Sequence, residues 1–258
     1  CLVVPEHVTC NLCCKIMEMG YPVMMEKPPG RNIEELDRMI AIADAHNIPT
    51  QVAFNRRHAP LVRKLRDLLN GKFDADQIHH INYDFTRVDR RDADFSATAI
   101  HGIDTVRYLT ASDFKHIRFH YQEFPNLGPT VANIFMDCVM KSGATAKLNF
   151  NPVAGVIVER ATVHAFNNTF FLNIPMWDAF DSPGQLQHLE KDKLVLTISG
   201  SDLSNHKDKF ERGGFYAENV SFFEDIRQGR CPKDNLKTTR QSVEVAEYLR
   251  NRKTEYFD

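Results

Sequence analysis

The sequence carries no surplus of charge of one sign: 32 Lys and Arg stand against 34 Asp and Glu, a formal net charge of −2 over 258 residues. That balance gives no basic face and argues against nucleic acid as a partner. Long apolar runs are missing too. None approaches the roughly 20 residues that a bilayer-spanning helix needs, so no membrane role is expected. No charged-then-apolar leader opens the chain, which makes the cytoplasm the expected compartment. Internal repeats and low-complexity segments are also absent.

Cysteine is scarce, with six in the chain. Cys10, Cys13 and Cys14 form C-x-x-C-C, but no second pair lies at zinc spacing, and Cys1, Cys138 and Cys231 are scattered. Around the cluster, Val8, Leu12, Ile16 and Met19 recur at helical spacing up to Gly20. Structural thiols are therefore expected, and no metal site.

What is present falls into two textures. Up to residue 72, strands alternate with helices. Cys1–Val4 reads as a short buried strand closed by Pro5, followed by a helix to Met19 and a strand at Val23–Met25. A helix then opens at Asn32, with Glu35 three residues on, and carries Ile33, Leu36, Met39, Ile40 and Ala43 as its apolar stripe. Pro49 to Phe54 is the next strand. The helix after it carries Leu61, Val62, Leu65, Leu68 and Leu69 and stops at Gly71. Such alternation predicts a parallel sheet. From residue 73 the strand-like runs Gln77–Phe85, Val131–Met140, Ala144–Phe150, Val156–Phe166 and Thr169–Ile174 follow with short turns at Asn167-Asn168 and Glu190–Lys193. Leu194, Leu196 and Ile198 alternate strictly. This predicts a mainly antiparallel sheet with helices on one face. Two closing helices are expected at Tyr216–Arg227, with Val220, Phe223 and Ile226 inward, and at Thr239–Arg250, with Val243, Ala246 and Leu249 inward. The expected fold is thus α/β plus α+β, divided into 1–72 and 73–258.

The chemistry concentrates at three places. Val23-Met24-Met25 ends in Glu26-Lys27-Pro28-Pro29, where two prolines force a turn and leave two charges at the carboxyl end of a parallel strand, where open α/β sheets hold ligands. The second place is a helix at Ser96–Leu109. There Ile100, Ile103, Val106 and Leu109 form a buried stripe, and His101 and Asp104, three apart, share a neighbouring face. Asn55-Arg56-Arg57-His58 follows the third strand end, where guanidiniums suit a polyhydroxylated or anionic substrate.

Glu26-Lys27-Pro28 resembles the signature of the glucose–fructose oxidoreductase / inositol dehydrogenase (Gfo/Idh/MocA) family at the end of a Rossmann strand. The likeness extends through the Gly213-Gly214-Phe215 entry and the Gln228-Gly229-Arg230 break. The family pattern Asp-x-x-x-His-x-x-Asp matches at His101 and Asp104, with Ala97 in place of the first Asp. The resemblance implies an NAD(P)-dependent oxidoreductase moving a hydride between NAD or NADP and a sugar, cyclitol or related hydroxy compound. An NAD-dependent glycoside hydrolase and a non-catalytic binding or regulatory relative are the alternatives. Lys27, His101 and Asp104 become the catalytic candidates. Lys27 would bind the reacting oxygen and His101 accept its proton, with Asp104, Asp92, Asp94 or no carboxylate beside it. Pro5, Glu26, Lys27, Pro28, Asn55 and Arg56 become cofactor-binding candidates, and Arg57 and His101 substrate-binding ones. A homo-oligomer through the antiparallel sheet is implied, with a small polyhydroxylated molecule as substrate. No Gly-x-Gly-x-x-Gly occurs in the chain. The resemblance places two βα units and a strand, about 60 residues, before Cys1, and with them the phosphate loop and the choice between NAD and NADP.

Overall fold

The computed structural model describes residues 1–204 and 208–258. Its first part is α1 (Glu6–Glu18), β1 (Val23–Glu26), α2 (Ile33–Ala45), β2 (Thr50–Ala53), a 3₁₀ turn at Asn55–His58 and α3 (Pro60–Lys72). β1 and β2 run parallel, in register from Val23 opposite Thr50 to Glu26 opposite Ala53. The Asn32 side chain caps α2 by accepting from the Glu35 amide at 2.9 Å. Leu36, Met39 and Ala43 are its buried face.

Two expectations here need correction. Cys1–Val4 is not a buried strand. Only Leu2 bridges to Met25, and Val3 is 77% exposed, because a strand lies along one side of the segment only. The stripe of α1 is also turned. Thr9, Cys10, Cys13, Cys14 and Met17 are buried, while Val8 and Met19 are exposed. The cysteines are the core face of this helix.

The second part is one sheet. Its strands are β3 (Ile78–Thr86), β4 (Phe114–Glu123), β5 (Ala132–Met140), β6 (Thr145–Asn151), β7 (Val158–Ala165), β8 (Asn168–Ile174), β9 (Gln185–Glu190) and β10 (Lys193–Ser199), with α4 (Ser96–Thr110) between β3 and β4. After them come the short α5 (Gly200–Leu203) and α6 (Lys209–Arg212), then α7 (Phe215–Arg227), α8 (Leu236–Arg250) and β11 (Glu255–Phe257). The order is β10-β9-β8-β7-β3-β6-β5-β4-β11, antiparallel at every pair except β3–β6. β4, β9 and β11 carry no matching strand run in the sequence reading. The Lys191-Asp192 turn has φ of 48° and 64°, as a two-residue hairpin requires.

One face of the sheet is covered. Along β5, Ala132, Ile134, Met136, Cys138 and Met140 point into the core in strict alternation. α4 lies on this face, and Gly102 sets how closely. A Cβ there would stand 2.8 Å from Phe150 Cε1 and 3.1 Å from Tyr83 Cε1, so only glycine lets the helix settle onto β3 and β6. α8 packs across α4 and α2 and ties the sheet to the first part. Val243, Ala246 and Leu249 are buried as expected, but on α7 the inward aromatic is Phe222, and Phe223 is exposed.

Candidate active site at the end of the first parallel strand

β1 delivers Glu26 and Lys27 to its carboxyl end, and α4 brings Ala97 and His101 across from the sheet. The Lys27 Nζ donates to the Ala97 carbonyl at 2.5 Å. Where the family signature carries an acid, the lysine thus meets a backbone oxygen. Burial, with Arg56 next in weight, brings the Lys27 ammonium down to about 8. A lysine so placed exchanges its proton near neutral pH.

His101 is buried, and its Nε2 lies 3.3 Å from Arg56 Nη1. A guanidinium has no acceptor, so Nε2 must accept and the ring proton must sit on Nδ1. That Nδ1 is buried with no hydrogen-bond partner among the described residues. Burial first, then the charges of Arg56, Lys27 and Arg87, hold the imidazole well below its ordinary range. His101 is therefore neutral, with one N–H left without an acceptor among the described residues, and an orphaned donor of this kind costs about 1–3 kcal/mol until something accepts from it.

Arg56 belongs to a buried cluster that the sequence reading missed. It pairs with Glu159 of β7 through Nη2–Oε1 at 2.7 Å and Nε–Oε2 at 3.1 Å. Arg87, at the end of β3, binds the same carboxylate, and Tyr83 Oη donates to it at 3.0 Å. Burial alone would raise the Glu159 carboxyl, but the two guanidiniums outweigh it and bring it down to about 2. A signal for this residue was available. Glu159 and Arg160 are adjacent charges inside the apolar strand run Val156–Phe166, so alternation turns one of them inward, and buried charges persist only when paired.

The remaining candidates fall in different places. Asp104 does not meet His101. Its carboxylate is gripped by Arg57 at 2.6 and 2.7 Å and by Ser242 Oγ at 3.0 Å. Arg57 also reaches Asp234 at 2.7 Å, which His58 Nε2 contacts at 2.7 Å. These groups lie to one side of the Lys27–His101 pair, and Arg57, His58 and Asp234 line a 790 Å³ cavity between α3 and α7. The Asn55 amide is engaged internally, donating to the Gly213 carbonyl at 2.7 Å and accepting from Arg56 at 2.8 Å. Pro5 sits exposed at the start of α1, and Pro28 is half-buried after Lys27. Glu218, on α7, was not expected. It is 2% exposed, with Oε2 unpartnered. Burial and the neighbouring Glu26 raise its carboxyl to about 8.

No family model matches the sequence. A 106-residue stretch is 27% identical to YceM of Salmonella typhimurium, a protein named as an oxidoreductase, and this match covers 38% of the present chain and 32% of that protein. Solved structures superpose over nearly the whole chain. Levoglucosan dehydrogenase, solved with NADH and levoglucosan, matches with a TM-score of 0.81 at 16% identity, covering 99% of this chain and 79% of that one. An oxidoreductase of the Gfo/Idh/MocA family from Vibrio cholerae matches with a TM-score of 0.78 at 18% identity, over 96% and 76%. The fold is that of the Gfo/Idh/MocA oxidoreductases. Within that fold the Glu26-Lys27-Pro28 turn and the His101 helix come from the two separate parts of the chain and meet at one point. Gly214 brings α7 against the turn that carries Arg56. Its φ is +86°, and a Cβ there would lie 2.1 Å from the Asn55 carbonyl oxygen, so glycine alone allows α7 to start against the 55–58 turn.

Proposed function

We propose that this chain belongs to an NAD(P)-dependent oxidoreductase that interconverts a hydroxyl and a carbonyl on a sugar or related polyhydroxylated compound. The observation that carries the reading is the juxtaposition of Lys27, its amine lowered to about 8, with neutral His101 and its unpaired Nδ1–H. A bound nicotinamide supplies the hydride acceptor or donor. The residues that fit its ring and ribose are Glu26, Lys27 and the protonated carboxyl of Glu218, which can donate a hydrogen bond. Lys27 binds the substrate oxygen and takes its proton. His101 donates from Nδ1 to the same oxygen. This differs from the expected role of His101 as proton acceptor, because Arg56 already occupies the Nε2 lone pair. Arg56 and Glu159 hold the imidazole at one tautomer. Arg57 and Asp104 brace the turn and the helix against each other and act through position.

The test is nicotinamide absorbance during incubation with a panel of sugars and cyclitols, beside Lys27→Met. Substrate-dependent reduction of NAD or NADP that Lys27→Met abolishes supports the reading. Sugar release without net reduction supports the hydrolase instead, and no turnover with any ring polyol by a preparation shown to bind NAD or NADP removes the assignment. We also propose a cytoplasmic setting, since all six cysteines are unpaired. Self-association through the uncovered sheet face is part of the same reading, and sedimentation of a variant with Phe171 and Val139 changed to Lys tests it.

A further inference from the structure

Next to this centre stands an aromatic cluster that takes no part in the chemistry proposed above. Arg56 Nη2 lies 3.4 Å from Met176 Sδ, in the loop that follows β8. The next residue is Trp177, the chain's one tryptophan. It is 46% exposed and has a φ of 51°, a left-handed conformation that a bulky side chain rarely takes. Its ring stacks on Phe215 with centroids 5.3 Å apart at 19°, and meets Phe210 edge-on at 5.8 Å and 80°. Phe215 directly follows Gly214, the residue that presses against Asn55. Asp178 is held by Lys209 at 3.3 Å and Arg212 at 3.7 Å. The indole is thus fixed from both sides, through Met176 to Arg56 and through Phe215 to Asn55. Neither tie buries it.

We infer that Trp177, backed by Phe215 and Phe210, is the platform on which the ring of a carbohydrate substrate stacks while its hydroxyls meet Lys27 and His101. This rests on the function proposed above and adds the substrate's shape: a cyclic polyol with one C–H face. Aromatic faces carry negative charge density and attract polarised C–H groups, while Phe215 covers the back of the indole. Fixed in place, the indole offers that face with little ordering cost on binding. A linear polyol has the same hydroxyls without the flat face.

The single tryptophan makes the site self-reporting. Emission of the protein titrated with levoglucosan and with myo-inositol should change saturably, and glycerol should leave it unchanged. In calorimetric titration with the same ring polyols, Trp177→Ala should weaken binding about 2- to 10-fold, the range for losing one aromatic stacking partner. Trp177→Phe should restore most of it. Trp177→Gly relieves the left-handed backbone, so it should be more resistant to urea than Trp177→Ala and still lose the binding to the same extent, which separates a folding defect from a missing platform. Emission that follows protein concentration and ignores sugar overturns the proposal and assigns the cluster to self-association. Equal affinity in Trp177→Ala and wild type overturns it while leaving the oxidoreductase reading intact. Sugar-dependent emission without any nicotinamide reduction leaves the platform standing and removes the oxidoreductase.

Discussion

Replacing Glu218 by Gln should make the protein more stable at alkaline pH and leave it nearly unchanged at pH 5. The folded carboxyl sits at about 8 against an ordinary 4.5, because burial and Glu26 oppose its ionisation. Below 4.5 the group is protonated whether the chain is folded or not, so its contribution is fully present there. As pH rises from 4.5 toward 8 the unfolded chain releases the proton and the folded chain retains it, so stability drains away. Each pH unit in that window costs about 1.4 kcal/mol, and between pH 5 and pH 8 the loss from this one group is of the order of 3–4 kcal/mol. Gln keeps the shape and cannot ionise. Urea unfolding of both proteins at several pH values measures the difference. The midpoints should nearly coincide at pH 5 and separate by roughly 1 M at pH 8 in favour of the variant. A constant offset across the range would refute the reasoning, since it would mean that Glu218 titrates alike in both states.

Other outcomes follow from the same site and core. Lys27→Met should lower turnover by roughly 10²-fold or more while cofactor affinity changes little, and wild-type kcat/KM for oxidation should rise with pH through a limb near 8 as Lys27 loses its proton; stopped-flow and steady-state rates across pH check both. Glu159→Gln leaves Arg56 and Arg87 buried without their shared carboxylate and should cost about 3–5 kcal/mol by calorimetric melting. In the wild type the stability from Glu159 is present above pH 4.5 and lost as pH falls toward 2, so acid unfolding should begin earlier in the variant. Cys1 and Cys231 are exposed, whereas burial raises Cys10 to about 11 and Cys13 to about 12. A thiol reagent should therefore label two groups quickly and the remaining four only on unfolding.

Much of the frame was legible because local chemistry and tertiary placement agree. Asn32 caps the helix its spacing predicts, Pro28-Pro29 end the strand they follow, and Ile100, Ile103, Val106 and Leu109 are all buried. The failures have identifiable causes. β4 buries Phe114, Ile117 and Phe119, and the irregularity between Phe114 and His116 breaks the period of two that would have marked it as a strand. Its exposed residues Lys115, Arg118 and His120 are all polar, and no strand is expected there from the sequence. α1 offers two stripes about 140° apart. Periodicity alone cannot choose between them while cysteine is weighed as a candidate ligand, although it packs like a small apolar residue. On α7 the adjacent Phe222 and Phe223 pose the same question, and Met24 and Ala53 decide it by packing against Phe222.

The site divides along the same line. Lys27 and His101 could be found because each sits in a local pattern, at a strand end or on a helix face. What tunes them comes from other elements: Arg56, on the turn before α3, and Glu159, on β7. A carboxylate one turn before His101 would favour the imidazolium and make the ring a ready proton acceptor. Ala97 takes that place, and the charge that reaches His101 instead is Arg56, held by Glu159 from the middle of the sheet. A cation has the opposite effect to a carboxylate: it disfavours the imidazolium, takes the Nε2 lone pair and leaves Nδ1 as a donor. The same Arg56 also lowers Lys27, so one guanidinium moves both groups toward neutrality. On the function proposed above, the Ala97 departure redistributes the acid–base work. With the histidine confined to hydrogen-bond donation, the proposed reading leaves the amine of Lys27, lowered to about 8, to carry the proton.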